Sequence, residues 1–147
     1  MSVGPLYPGA QQGTPGLVHL VFRIQAGAAD GTDPDFIYPS GAPVVSGKAE
    51  ATGLYTITLA TAYPGFLGGT CTVLSAAATA LKWAIIDIAD YNATTGVLSV
   101  QVVTNDDAGG DGTVVAKYLV DNDWLMFDLY FVTAASDAVT GALAAMT

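Results

Sequence analysis

Residues 17–25 read LVHLVFRIQ, in which Val18, Leu20, Phe22 and Ile24 alternate with His19, Val21, Arg23 and Gln25. A period of two is the pattern of a half-buried strand, because a helix would scatter those four apolar side chains around its circumference. The pattern recurs. LYTITL sets Tyr55, Ile57 and Leu59 against Leu54, Thr56 and Thr58, with β-branched threonines on the outer side. WLMFDLYFV sets Leu125, Phe127, Leu129 and Phe131 on one face and Trp124, Met126, Asp128, Tyr130 and Val132 on the other. Large apolar groups on both faces mark this last strand as central between two layers or as one that faces another subunit.

The stretch 81–104, LKWAIIDIADYNATTGVLSVQVVT, predicts a β-hairpin. Ala84, Ile86 and Ile88 alternate with Ile85, Asp87 and Ala89; beyond the turn formers Asn92 to Gly96, Leu98, Val100 and Val102 alternate with Ser99, Gln101 and Val103. Alanine and leucine also suit a helix over 81–90, so helix then strand is the alternative. TCTVLSA predicts a shorter strand, AAATALK a helical turn or a bend, and TVVAKYLV is a further strand candidate. Residues 26–53 are rich in glycine, proline and acid and predict a long loop with one short strand near Phe36 to Tyr38.

At 147 residues the chain fits one domain able to bury about 70% of its unfolded surface. The expected class is all-β: an antiparallel sandwich or small barrel of about six to eight strands with an extended N-terminal arm. The arm spans 1–16, the β domain 17–136 and a small-residue tail 137–147. The arm carries three prolines and four glycines, and its main apolar anchors are Leu6 and Tyr7, flanked by Pro5 and Pro8. Such a segment does not pack a core alone, but loses little entropy when laid along a surface.

Charge excludes several partners. Four Lys+Arg against thirteen Asp+Glu give a formal net charge of -9, a surface that repels phosphate backbones and anionic headgroups, so neither direct nucleic-acid binding nor a membrane role is expected. The N-terminus lacks a basic region followed by an apolar run, and no apolar run approaches the roughly 20 residues of a membrane span. A soluble protein without a signal peptide is expected.

Chemistry-bearing residues are sparse. His19 is the only histidine and reads as a solvated strand residue with no adjacent nucleophile; Cys71 is the only cysteine and reads as a small buried hydrophobe. One of each is too few for a transition-metal site. Asp30, Asp33 and Asp35, and Asp106, Asp107 and Asp111, are glycine-flanked carboxylates of a kind that can ligate calcium, yet neither group fits the EF-hand loop, and tight turns use aspartate and glycine anyway. No catalytic residue, cofactor or metal ligand is assigned. Asn92-Ala93-Thr94 matches a glycosylation sequon by chance, and Trp83 with Trp124 would suit either a sugar-stacking platform or core and interface packing.

The order ATGLYTITLATAYPGFLGG, a short strand, the IIDIADYNATTGVLSVQVVT hairpin and then DNDWLMFDLYFVTAAS resembles the small head-decoration (cement) and minor capsid proteins of tailed bacteriophages, over Ala51 to Ser136. The resemblance implies a non-enzymatic virion protein on the outer surface of the capsid, often a trimer, that bridges subunits of the major capsid protein. Its expected partners are that protein and further copies of itself. The alternative is a carbohydrate- or receptor-binding β-sandwich of a virion or cell surface. The residues add two candidate surfaces: an oligomer interface at Trp124, Met126 and Tyr130, and a shell-binding arm at Leu6 and Tyr7.

Overall fold

The computed structural model describes residues 10–11, 16–76, 81–106 and 113–133. Among them there is no helix, and ten strands run in the order β1 (Ala10–Gln11), β2 (Leu17–Gln25), β3 (Phe36–Tyr38), β4 (Val44–Ala51), β5 (Leu54–Leu59), β6 (Gly65–Leu74), β7 (Lys82–Asn92), β8 (Val97–Asp106), β9 (Thr113–Ala116) and β10 (Trp124–Val132). They form two five-stranded antiparallel sheets. The first has the order β1-β2-β10-β6, with β3 also paired to β2; the second has the order β4-β5-β8-β7, with β9 also paired to β8. The class is all-β, as the alternation predicts, and of the two expected architectures, sandwich or small barrel, the two sheets form the sandwich.

One core fills the space between the sheets. The inward positions Leu20, Phe22 and Ile24 of β2, Tyr55 and Ile57 of β5, Leu98 and Val100 of β8, and Leu125 to Phe131 of β10 at every second residue are all buried. Full burial of each such side chain is worth about 1.5–3 kcal/mol. Phe22 stacks on Phe127 at 4.9 Å, and at one end Tyr63, Phe66 and Tyr91 close around Phe131. The tyrosines bring polar tips inside but satisfy them. The Tyr55 hydroxyl accepts the Leu119 N–H at 2.8 Å, and that of Tyr91 donates to the Tyr63 carbonyl at 2.8 Å. Burial lifts both phenol pKa values above their ordinary range.

The hairpin forms as β7 and β8, with Trp83 opposite Val103 and Ile86 opposite Val100. The Asn92 side-chain oxygen accepts the N–H groups of Thr94 and Thr95 at 2.9 and 3.0 Å, so the sequon asparagine serves as a turn former. The predicted loop over 26–53 is corrected in part. It contains the short strand at Phe36–Tyr38, but Val44–Ala51 is also a strand, paired to β5 alone and largely exposed. Beyond the buried Val44 and the partly buried Ala49, β4 is held by ladder hydrogen bonds rather than by a large apolar face, and Val45 is exposed, so its sequence shows no apolar alternation; Lys48 and Glu50 suit an edge strand. This strand and the short β1 bring the number from the expected six to eight up to ten.

Candidate functional site

The outer face of the first sheet gathers the side chains that the core does not use. Along its central strand β10, Trp124, Met126, Asp128 and Tyr130 point outward, opposite Gln25, Arg23, Val21 and His19 of β2 and opposite Leu74, Thr72, Thr70 and Gly68 of β6. Met126 and Tyr130 remain 40% and 43% exposed in the middle of a sheet, and Tyr38 on β3 is 56% exposed. The three residues predicted as an interface thus share one face. Trp124 is half-buried on it, because the guanidinium of Arg23 lies over its ring at 4.4 Å.

Arg23 is held from both sides. Its guanidinium carbon also lies 4.7 Å from the centre of the Tyr38 ring, and its Nε is buried without a hydrogen-bond partner. Beside it is a hollow of about 260 Å³ lined by Val21, Phe22, Arg23, Tyr38, Pro39 and Met126. Further along the same face, His19 Nε2 is 2.6 Å from Asp128 Oδ1, and the imidazole stacks on Tyr130 with ring centres 4.5 Å apart and an angle of 3° between the planes. His19 is therefore not the freely solvated residue that its strand position suggests. Register places it beside Tyr130 and one residue pair from Asp128, which partner its nitrogen and its ring face.

The remaining sequence candidates fall elsewhere. Trp83 projects from β7 of the second sheet and is exposed, and no ring contact joins it to Trp124. Cys71 is buried, and burial pushes its thiol pKa far above the ordinary range, which keeps it from acting as a nucleophile. The Asp33 carboxylate accepts the Ala49 N–H at 2.9 Å and so partners an N–H within the edge strand β4. Among the described residues no group of three or more His, Cys, Asp or Glu side chains converges, and no helix is long and apolar enough to cross a membrane. Leu6, Tyr7, Asp107, Asp111 and the tail 137–147 lie outside the described residues.

One buried pair escaped the sequence reading. Lys82 Nζ donates to Asp123 Oδ2 at 2.5 Å, with the lysine side chain 5% and the aspartate side chain 0% exposed. Asp123 also accepts the Ser75 hydroxyl and the Ala76 N–H, each at 3.0 Å to Oδ1, and the Val120 N–H at 3.0 Å to Oδ2. Lys82 belongs to the second sheet, whereas Ser75 and Asp123 flank strands of the first, so this carboxylate bolts the two layers together. The signal was present in the phase: Lys82 shares the inward parity of Ala84 and Ile86, and Asp123 that of Leu125 and Phe127.

Comparison with family models, with curated proteins and with solved structures finds no match. The site is thus defined by its own geometry: a sandwich with an open, partly apolar outer face that carries one aromatic-clamped arginine.

Proposed function

We propose that this chain is a structural virion protein, a decoration protein that binds the outside of a phage head through the outer face of its first sheet, bridges major capsid subunits and associates with copies of itself, as a trimer. The observation that supports this reading is the exposure of Met126, Tyr130 and Tyr38 on a single sheet face beside a hollow, where a protein working alone would place polar groups. The likeness of Ala51 to Ser136 to cement proteins gives the same direction.

The test is co-sedimentation of the purified chain with phage heads stripped of decoration. Saturable binding is expected, and Tyr130→Glu, which places a charge on the face without touching the core, should weaken it at least about tenfold. Absence of binding to any head, together with a glycan that raises the melting temperature, would replace this reading with the carbohydrate-binding one.

A further inference from the structure

We infer that the hollow beside Arg23 binds a carboxylate carried on an apolar stretch of a protein partner, an Asp or Glu side chain next to a large apolar residue. The inference deepens the proposed function and rests on it for the choice of a protein as occupant.

Charge bookkeeping points to Arg23. Of the four Lys+Arg side chains, Lys48 pairs with Glu50 at 2.9 Å, Lys82 pairs with Asp123, and Lys117 is exposed to solvent, which leaves Arg23 as the partly buried cation without a counter-charge. Arg23 has no ion-pair partner among the described residues, although the chain carries thirteen acidic groups. The rings of Tyr38 on β3 and Trp124 on β10, two strands paired to β2, lie 4.7 and 4.4 Å from its guanidinium carbon and hold it between them. They do not satisfy its N–H groups, and Nε is left buried without a hydrogen-bond partner. A guanidinium held between two rings and left without a hydrogen-bond or ion-pair partner among the described residues has lost rotational freedom in advance, and a planar carboxylate is the group whose two oxygens match the paired N–H donors of its rim.

The walls specify what accompanies the carboxylate. Val21, Phe22, Pro39 and Met126 are apolar, and a poorly hydrated wall strengthens an ion pair made beside it. At about 260 Å³ the hollow falls below the roughly 300–1,000 Å³ of sites that enclose a whole small molecule, so it suits a side chain rather than a cofactor. Polyphosphates are disfavoured by the net charge of -9, which one carboxylate paired to Arg23 withstands better than a string of phosphates does.

The experiment titrates the full chain, labelled for amide NMR, with the acetylated and amidated tetrapeptide Gly-Phe-Glu-Gly, its Gln counterpart, and the version with Ala in place of Phe. The Glu peptide should shift the amides of Arg23, Tyr38 and Met126 and bind at least about tenfold more tightly than either control, with the difference lost in Arg23→Gln. Equal affinity for the Glu and Gln peptides, or shifts confined to other residues, would overturn the site. Should Arg23→Gln fail to fold, Arg23→Lys takes its place; a lysine that binds the Glu peptide as tightly as arginine does would refute recognition by the planar rim. A chain that discriminates Glu from Gln but does not bind phage heads sinks the capsid reading and leaves the site standing. One that binds heads without that discrimination does the reverse. Shifts at the same amides on concentrating the chain without peptide, lost in Arg23→Gln, would overturn the separate partner in favour of a second copy.

Discussion

Asp123 sits at the end of a turn with Asn122 at a positive φ of 67°, and its carboxylate accepts hydrogen bonds from Lys82, Ser75, Ala76 and Val120 in a place without solvent. Replacing it with Asn leaves a buried ammonium without counter-charge and turns an N–H₂ group toward other donors, so Asp123→Asn should cost about 3–5 kcal/mol. Urea denaturation at neutral pH would show this as a lower midpoint at unchanged slope. The pH dependence has a definite sign. Burial alone would raise the Asp123 pKa, but the Lys82 ammonium and the surrounding N–H and O–H donors outweigh burial and hold it below the ordinary carboxylate value. A carboxylate with a depressed folded pKa contributes stability that is present in full above its unfolded value, near about 3.9, and is lost as pH falls through the lower folded value. Urea midpoints measured from neutral to acidic pH should therefore drop below about pH 4, and the drop should be shallower in Asp123→Asn. At this scale the sequence was readable by phase but not by pairing: the parity of Lys82 and Asp123 says that both point inward, whereas nothing in a linear chain says that they meet.

The strands differ in how plainly they announce themselves. β2, β5, β8 and β10 each bury one face, so their apolar residues recur at every second position and their existence follows from burial alone. β4 buries little and is defined by its partner, so its sequence VVSGKAEA looks like a loop. The Arg23 clamp was illegible for a related reason. It is assembled from β2, β3 and β10, and only the register Arg23 to Tyr38 and Arg23 to Met126 brings the rings to the guanidinium. The turn between β4 and β5 depends on Gly53, whose φ is 70° and whose carbonyl accepts the Val102 N–H at 2.7 Å. An added Cβ there would stand 2.4 Å from the Val102 oxygen, the atom that also accepts the Lys117 N–H at 3.1 Å. Gly53→Ala should consequently destabilise the fold by at least about 1–3 kcal/mol, from backbone conformation and collision together. Thermal melting of this variant checks the expectation, with Gly→Ala at the exposed Gly41 as a comparison that shares the positive φ of 76°. A larger loss at Gly53 than at Gly41 isolates the collision from the strain common to both.

For the whole molecule, two forces on the outer face of the first sheet respond to salt in opposite ways. Self-association through Met126, Tyr130 and the exposed edge of Trp124 gains about 25 cal/mol per Å² of apolar area removed from water, a term that added salt does not screen. Against it stands the repulsion between copies that each carry -9, which salt does screen, the Debye length shrinking from about 30 Å at 0.01 M to about 8 Å at 0.15 M. Assembly of the chain with itself should strengthen as salt rises over this range. Pairing of the Arg23 rim with a partner carboxylate draws on attraction between opposite charges, so its affinity should fall over the same range. Light scattering on the isolated chain and peptide titration, run side by side at the two salt concentrations, separate these contributions. Self-association that weakens with salt would mean that copies meet through charge pairs rather than through the apolar residues, and a chain that stays monomeric at both concentrations would leave Trp124, Met126 and Tyr130 without a role between copies. In Tyr130→Glu the salt-strengthened assembly should disappear while peptide binding persists, because Tyr130 stacks on His19 and takes no part in the hollow beside Arg23.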